Sequence, residues 1–138
     1  MTLVKAMNHV GIAVRSIDDQ RSFYEGTLGA QFEGIQEVAN QKVRVAFFKI
    51  GDMRLELLEP TDPSSPVAKF LESRGEGLHH LAFTVENIQD RINELKESGL
   101  RMIDEKPRVG AHHMQIAFVH PKSTFGVLTE LCEPPAES

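Results

Sequence analysis

Apolar and polar positions alternate with a period of two near the start of the chain, where Val10, Ile12 and Val14 interleave with His9, Gly11 and Ala13. Such alternation predicts a β-strand with two unlike faces. The same phase returns 71 residues later, with Leu81, Phe83 and Val85 between His80, Ala82 and Thr84. A helix start follows each strand: Ser16 has Asp19 three residues on, and Asn87 has Asp90. A short polar side chain in that place accepts a hydrogen bond from the first helical turn, so both are expected N-caps. The helices should run through Phe23-Tyr24 and Ile92–Leu95 and stop near Gly29 and Gly99.

Three strand-like segments come after each helix. They are expected near Ala30–Glu37, Val43–Ile50 and Arg54–Glu59, then near Arg101–Glu105, Gln115–Val119 and Gly126–Glu133. Val45-Ala46-Phe47-Phe48 corresponds to Ile116-Ala117-Phe118-Val119 at the same offset of 71, and Glu56-Leu57-Leu58-Glu59-Pro60 to Glu130-Leu131-Cys132-Glu133-Pro134 at 74. Each half thus reads β-α-β-β-β. Module 1 spans about residues 5–60 and module 2 about 78–135. The joint, Thr61–Gly77, should hold a short helix begun by Ser65-Pro66 and ended by Gly75 and Gly77.

A sheet with a helix on one face leaves the other face needing cover. The expected fold class is therefore α+β, with two tandem βαβββ modules whose sheets face each other around a cleft, forming one domain over residues 1–138. The large apolar residues should pack under the helices. His9, Gly11, Ala13 and His80, Ala82, Thr84 should line the other face, where small neighbours leave room around each imidazole.

That face carries the chemistry. Each half has one His and one Glu at equivalent positions: His9 with Glu56, and His80 with Glu130. A charged group within an apolar strand is costly unless it is paired or coordinated. Repeating the ligands along with the structure therefore points to a metal-binding cleft rather than to packing alone. Two imidazoles and two carboxylates suit Zn²⁺, Co²⁺, Mn²⁺ or Ni²⁺. In an octahedral site they leave two positions for substrate oxygens.

Composition narrows the partners. A formal charge of −5 lacks the basic footprint of a general nucleic-acid binder. No apolar run approaches the roughly 20 residues that span a bilayer. Met1-Thr2-Leu3-Val4-Lys5 runs straight into the first strand without a signal-peptide pattern, and Cys132 is the single cysteine, so a cytoplasmic protein without disulfides is expected.

The modules and the His…Glu…His…Glu order resemble the vicinal oxygen chelate superfamily, and within it the methylmalonyl-CoA epimerases. The resemblance rests on His9-Val10-Gly11-Ile12-Ala13-Val14, Val45-Ala46-Phe47, Glu56-Leu57-Leu58-Glu59-Pro60 and Ser65-Pro66-Val67-Ala68-Lys69-Phe70-Leu71. It continues in Gly75-Glu76-Gly77-Leu78-His79-His80, Gly110-Ala111-His112, His120-Pro121-Lys122-Ser123 and Gly126-Val127-Leu128-Thr129-Glu130-Leu131. It implies an isomerase that inverts C2 of methylmalonyl-CoA, with metal ligation by His9, Glu56, His80 and Glu130, and a homodimer.

Chelation of the thioester and carboxylate oxygens would stabilise an enolate. Glu130 is the expected base, beside both metal and substrate. Some epimerases place Glu where this chain has Val45, which cannot move a proton, so Glu56 is the expected second acid–base group, with His112 and His113 as further candidates. Lys122 and Ser123 are candidate contacts to the acyl-CoA by charge and hydroxyl donors. His79 should be structural, His120 part of a turn, and Cys132 a small buried residue. The competing functions are a glyoxalase I-like lyase acting on a thiol hemithioacetal, an oxygen-dependent ring-cleaving enzyme, a small-molecule sequestering protein of the same fold, and a structural module with a vestigial ligand set.

Overall fold

A computed structural model describes residues 3–136; residues 1, 2, 137 and 138, the ends of the expected domain, lie outside it. The chain divides into two compact units, one of His9–His79 and the other of the residues before His9 together with those from His80 onward. The division falls inside strand β1 (Ala6–Ala13), whose first residues go with the second unit. There Lys5 N–H donates to the Thr84 carbonyl at 2.8 Å, and Asn8 Nδ2 donates to Thr84 Oγ1 at 3.1 Å.

In the first unit, β1 is followed by α1 (Ile17–Arg21), β2 (Gln31–Val38), β3 (Val43–Ile50), β4 (Met53–Pro60) and α2 (Pro66–Arg74). The strands lie in the order β2-β3-β4-β1, with β1 parallel to β4 and the other pairs antiparallel. Ile17 of α1 is buried with Val14, Phe48 and Leu57, and Ile12 and Tyr24 pack against them; Ile12 and Val14 lie on the apolar face that the alternation predicts. Ser16 Oγ accepts from Asp19 N–H at 3.2 Å, and Ser65 Oγ accepts from Val67 N–H at 3.2 Å, so both expected caps are in place.

The first helix departs from the expected regular form. After Arg21 it widens into a π-helical turn, Ser22–Thr27, with Leu28 N–H bonded to the Phe23 carbonyl at 2.9 Å. The wider turn lays Tyr24 against Phe48, ring centroids 5.7 Å apart, and leaves Phe23 half exposed. Gly26, a weak helix former, sits inside this turn.

The second unit contains β5 (Gly77–Thr84, of which His80–Thr84 fall in this unit), α3 (Ile88–Glu97), β6 (Arg108–Val109), β7 (Gln115–Val119) and β8 (Thr129–Glu133). Their order is β5-β8-β7-β6, with β5 parallel to β8. Ile88 and Ile92 of α3 pack in one buried cluster with Val85, Ala117, Val119 and Leu131.

The structure departs from the sequence expectation at three places in this unit. The strand expected over Arg101–Glu105 is reduced to a single bridge, Met102 to Val119. Asp104 takes the Phe118 N–H with its side chain at 2.9 Å, replacing the backbone carbonyl a strand would offer, and Pro107 brings no N–H of its own. The last strand starts at Thr129 rather than Gly126, because Gly126 and Val127 are held in a turn by the carbonyls of Pro121 and Thr124. Asn87 does not cap α3 with its side chain; its backbone is left-handed at φ 52°. Glu133 caps the helix instead, accepting from Asn87 N–H at 2.7 Å and Ile88 N–H at 3.2 Å.

Candidate metal-binding residues

Each unit carries one buried His–Glu pair. In the first, His9 Nδ1 lies 3.2 Å from Glu56 Oε2. In the second, His80 Nε2 lies 3.1 Å from Glu130 Oε1. All four residues are buried. The strands explain the meeting: β1 is parallel to β4 with Gly11 opposite Glu56, and β5 is parallel to β8 with Ala82 opposite Glu130. Residues in register share a face, so each His lies two positions before the small residue that faces its Glu.

This spacing fits a metal. Two donor atoms about 2.1 Å from one ion, at right angles, lie about 3 Å apart. Each pair therefore has the separation of adjacent ligands. A buried carboxylate is costly without charge compensation, which a divalent ion would supply.

The room expected around the imidazoles is narrower than the small same-strand neighbours suggest. Gly11 and Ala82 are small, but the antiparallel neighbours are not: Phe47 stands opposite Glu56, and Phe118 opposite Glu130. Phe118 meets His80 edge to face, centroids 5.5 Å apart. Met114, Ile116 and Cys132 join Ala82 and Phe118 in a buried cluster on that face. Repetition of the two phenylalanines at the ligand offset was visible in the sequence. Their place beside the carboxylates needed the strand register.

Val45 is buried on β3 between Gln36 and Leu58. His112 and His113 form a turn before β7 with left-handed backbone, φ 54° and 59°. Gly110 precedes them, where an added Cβ would come within 3.0 Å of Ile116. Lys122 is exposed, while the Ser123 hydroxyl accepts from Arg101 N–H at 2.8 Å. His79 packs against Phe70 with ring centroids 4.9 Å apart. His120 starts the Pro121–Ser123 turn, its Nδ1 accepting from Lys122 N–H at 3.1 Å, and its pKa is lowered by desolvation and then by Arg101 and Lys122. Sequence reasoning missed Arg108, which stands over the Phe118 ring at 5.8 Å and 3.2 Å from Asp104. Among the described residues no helix is long and apolar enough to cross a membrane.

The glyoxalase/bleomycin resistance protein/dioxygenase superfamily profile matches residues 8–118. The uncharacterized protein YqjC of Bacillus subtilis is 49% identical over 128 residues, covering 93% of this chain and 91% of that protein. The mitochondrial methylmalonyl-CoA epimerase of Homo sapiens is 37% identical over 126 residues, covering 91% of this chain and 72% of the human protein. A solved methylmalonyl-CoA epimerase in complex with methylmalonyl-CoA and NH4+ superposes with a TM-score of 0.93 at 36% identity, covering 98% of this chain and 97% of that one. With its α+β fold of two βαβββ modules, the chain belongs to the methylmalonyl-CoA epimerase family of this superfamily and is an isomerase of that type.

Proposed function

We propose that the chain inverts C2 of methylmalonyl-CoA through an enolate, with His9, Glu56, His80 and Glu130 together holding one divalent ion, Co²⁺, Mn²⁺, Zn²⁺ or Ni²⁺. The observation that carries this reading is the buried His–Glu pair in each unit, at repeat-equivalent positions and at the spacing of adjacent ligands. When bound, the ion supplies Lewis-acid stabilisation for negative charge on the thioester and carboxylate oxygens.

The chain's own groups move the proton. Glu130 takes it from C2 on one face as general base, and Glu56 returns one on the other. Val45 offers only methyl groups at the position where some epimerases carry Glu, so the second transfer falls to Glu56. Phe47 and Phe118, beside the two carboxylates, limit water there and strengthen local electrostatics. Lys122 and Ser123 are assigned to the acyl-CoA. The same reading includes a homodimer, measurable by light scattering, and a cytoplasmic location, which the single cysteine fits.

The test is proton exchange and inversion at C2 in deuterated water, followed by NMR with metal content measured per chain. Wild-type protein should both exchange and invert. Glu56→Gln should keep the metal yet exchange one epimer without inverting it, and Glu130→Gln should slow exchange by about 10²–10⁴-fold. Full inversion by either variant would remove that residue's role. Two Glu carboxylates at equivalent places also fit a glyoxalase I-like lyase. Turnover of a thiol hemithioacetal, without C2 exchange in methylmalonyl-CoA, would replace the epimerase reading with that one.

A further inference from the structure

We propose that Arg108, alongside the ion, binds the carboxylate of the acyl group and so selects carboxylated acyl-CoA substrates; this rests on the epimerase reading above. Strand β6 pairs with β7 so that Arg108 stands opposite Ile116. Ile116 belongs to the buried cluster with Ala82, Phe118 and Cys132, on the face that carries Glu130. Arg108 therefore points to the Glu130 face of the second unit. Its guanidinium carbon lies 5.8 Å from the centre of the Phe118 ring, and Phe118 is the cross-strand neighbour of Glu130.

The hydrogen bonding of this guanidinium is incomplete. Arg108 Nε is 3.2 Å from Asp104 Oδ1, close enough for an ion pair, but it is buried and makes no hydrogen bond. The other oxygen of Asp104 is occupied by Phe118 N–H at 2.9 Å. Asp104 thus steers the side chain by charge and leaves its fork of donors open. The side chain is 37% exposed, so one edge is reachable from solvent. A planar guanidinium with open donors, held over an aromatic ring, is suited to two-oxygen anions.

An acyl-CoA offers two kinds of anion: the acyl carboxylate and the phosphates of the CoA. The place of Arg108, one ring away from Glu130, favours the carboxylate, which must lie beside the carbon that Glu130 deprotonates. Holding it would also orient the C2–H bond for removal. Arg108 is in this account a binding and positioning residue.

The experiment compares binding of methylmalonyl-CoA and propionyl-CoA, which differ by the carboxylate, to the full-length protein and to Arg108→Gln and Arg108→Lys, each loaded with Mn²⁺. Arg108→Gln should bind methylmalonyl-CoA about 10- to 100-fold more weakly and leave propionyl-CoA unchanged. Arg108→Lys, which keeps the charge and the Asp104 pair, should fall between. Equal loss for both esters would place the anion on CoA or mark damage to the fold, and no loss would make Arg108 purely structural; each overturns the proposal. If wild-type protein binds no methylmalonyl-CoA, the epimerase reading itself fails. Binding with unchanged selectivity in Arg108→Gln overturns only this site.

Discussion

The histidines of this chain show how much a single side chain's neighbours decide. His79 and His80 are adjacent, yet the first lies against Phe70 and the second beside Glu130. Strand alternation predicts that split from sequence. It also identifies His9 and His80 as partners of the two glutamates, so the candidate ligands were legible residue by residue. Phe118 and Arg108 were not, because their relation to Glu130 runs through cross-strand register and a turn-borne Asp104. His120 carries a prediction of its own. Desolvation and the charges of Arg101 and Lys122 lower its pKa, and its Nδ1 must be unprotonated to accept from Lys122 N–H. A histidine with a depressed folded-state pKa binds fewer protons folded than unfolded. Its contribution is therefore present above the unfolded value, about 6.5, and is lost as pH falls toward the folded one. NMR should find His120 titrating below about 6.5, with the Lys122 amide losing exchange protection in the same window. A midpoint at or above that value would contradict the account.

At the scale of elements, the repeated Glu-Leu-x-Glu motif divides its labour. Glu56 and Glu130 face the histidines, whereas Glu59 and Glu133 turn to the helices. Glu59 Oε1 accepts from Ile17 N–H at 2.9 Å, and Glu133 accepts from Asn87 and Ile88 N–H. The second glutamate of each motif thus satisfies orphan donors at a helix start and complements its dipole. Local sequence suggested Ser16 and Asn87 for these places, since capping rules look only three residues ahead. Glu133 comes from 46 residues away, which no local pattern detects. Because Glu133 holds α3 without help from the Asn87 side chain, Glu133→Ala should destabilise the protein by about 1–3 kcal/mol in urea unfolding. Glu59→Ala should cost less in helix capping, since Ser16 Oγ remains to cap α1, though it also breaks an ion pair with Arg44 at 2.9 Å. Equal stability of Glu133→Ala and wild type would mean that water caps α3 as well as the carboxylate does.

For the molecule as a whole, duplication explains why the fold was readable and why the chemistry was less so. Strand β3 falls on its expected limits, as does β7, and the connecting helix starts at Ser65-Pro66 as expected. These elements are specified by alternation and caps repeated or placed in plain sequence. Arg101–Glu105 forms no more than a bridge to β7, with the Asp104 side chain rather than a backbone carbonyl accepting from Phe118 N–H. Under the proposed function both His–Glu pairs serve one ion. Four buried ligands acting together should bind one divalent ion per chain, whereas two independent pairs would bind two, each weakly. Binding to the folded state alone also stabilises it, by about 2.7 kcal/mol when the free ion is at 100 times its dissociation constant. Adding Mn²⁺ or Co²⁺ to chelator-treated protein should therefore raise the unfolding midpoint and saturate at one ion per chain by mass spectrometry of the intact complex. His9→Ala and His80→Ala should each abolish most of that rise, although the histidines lie in different units. If either variant keeps the full rise, or if saturation occurs at two ions, the pairs act separately and the shared-ion proposal is wrong.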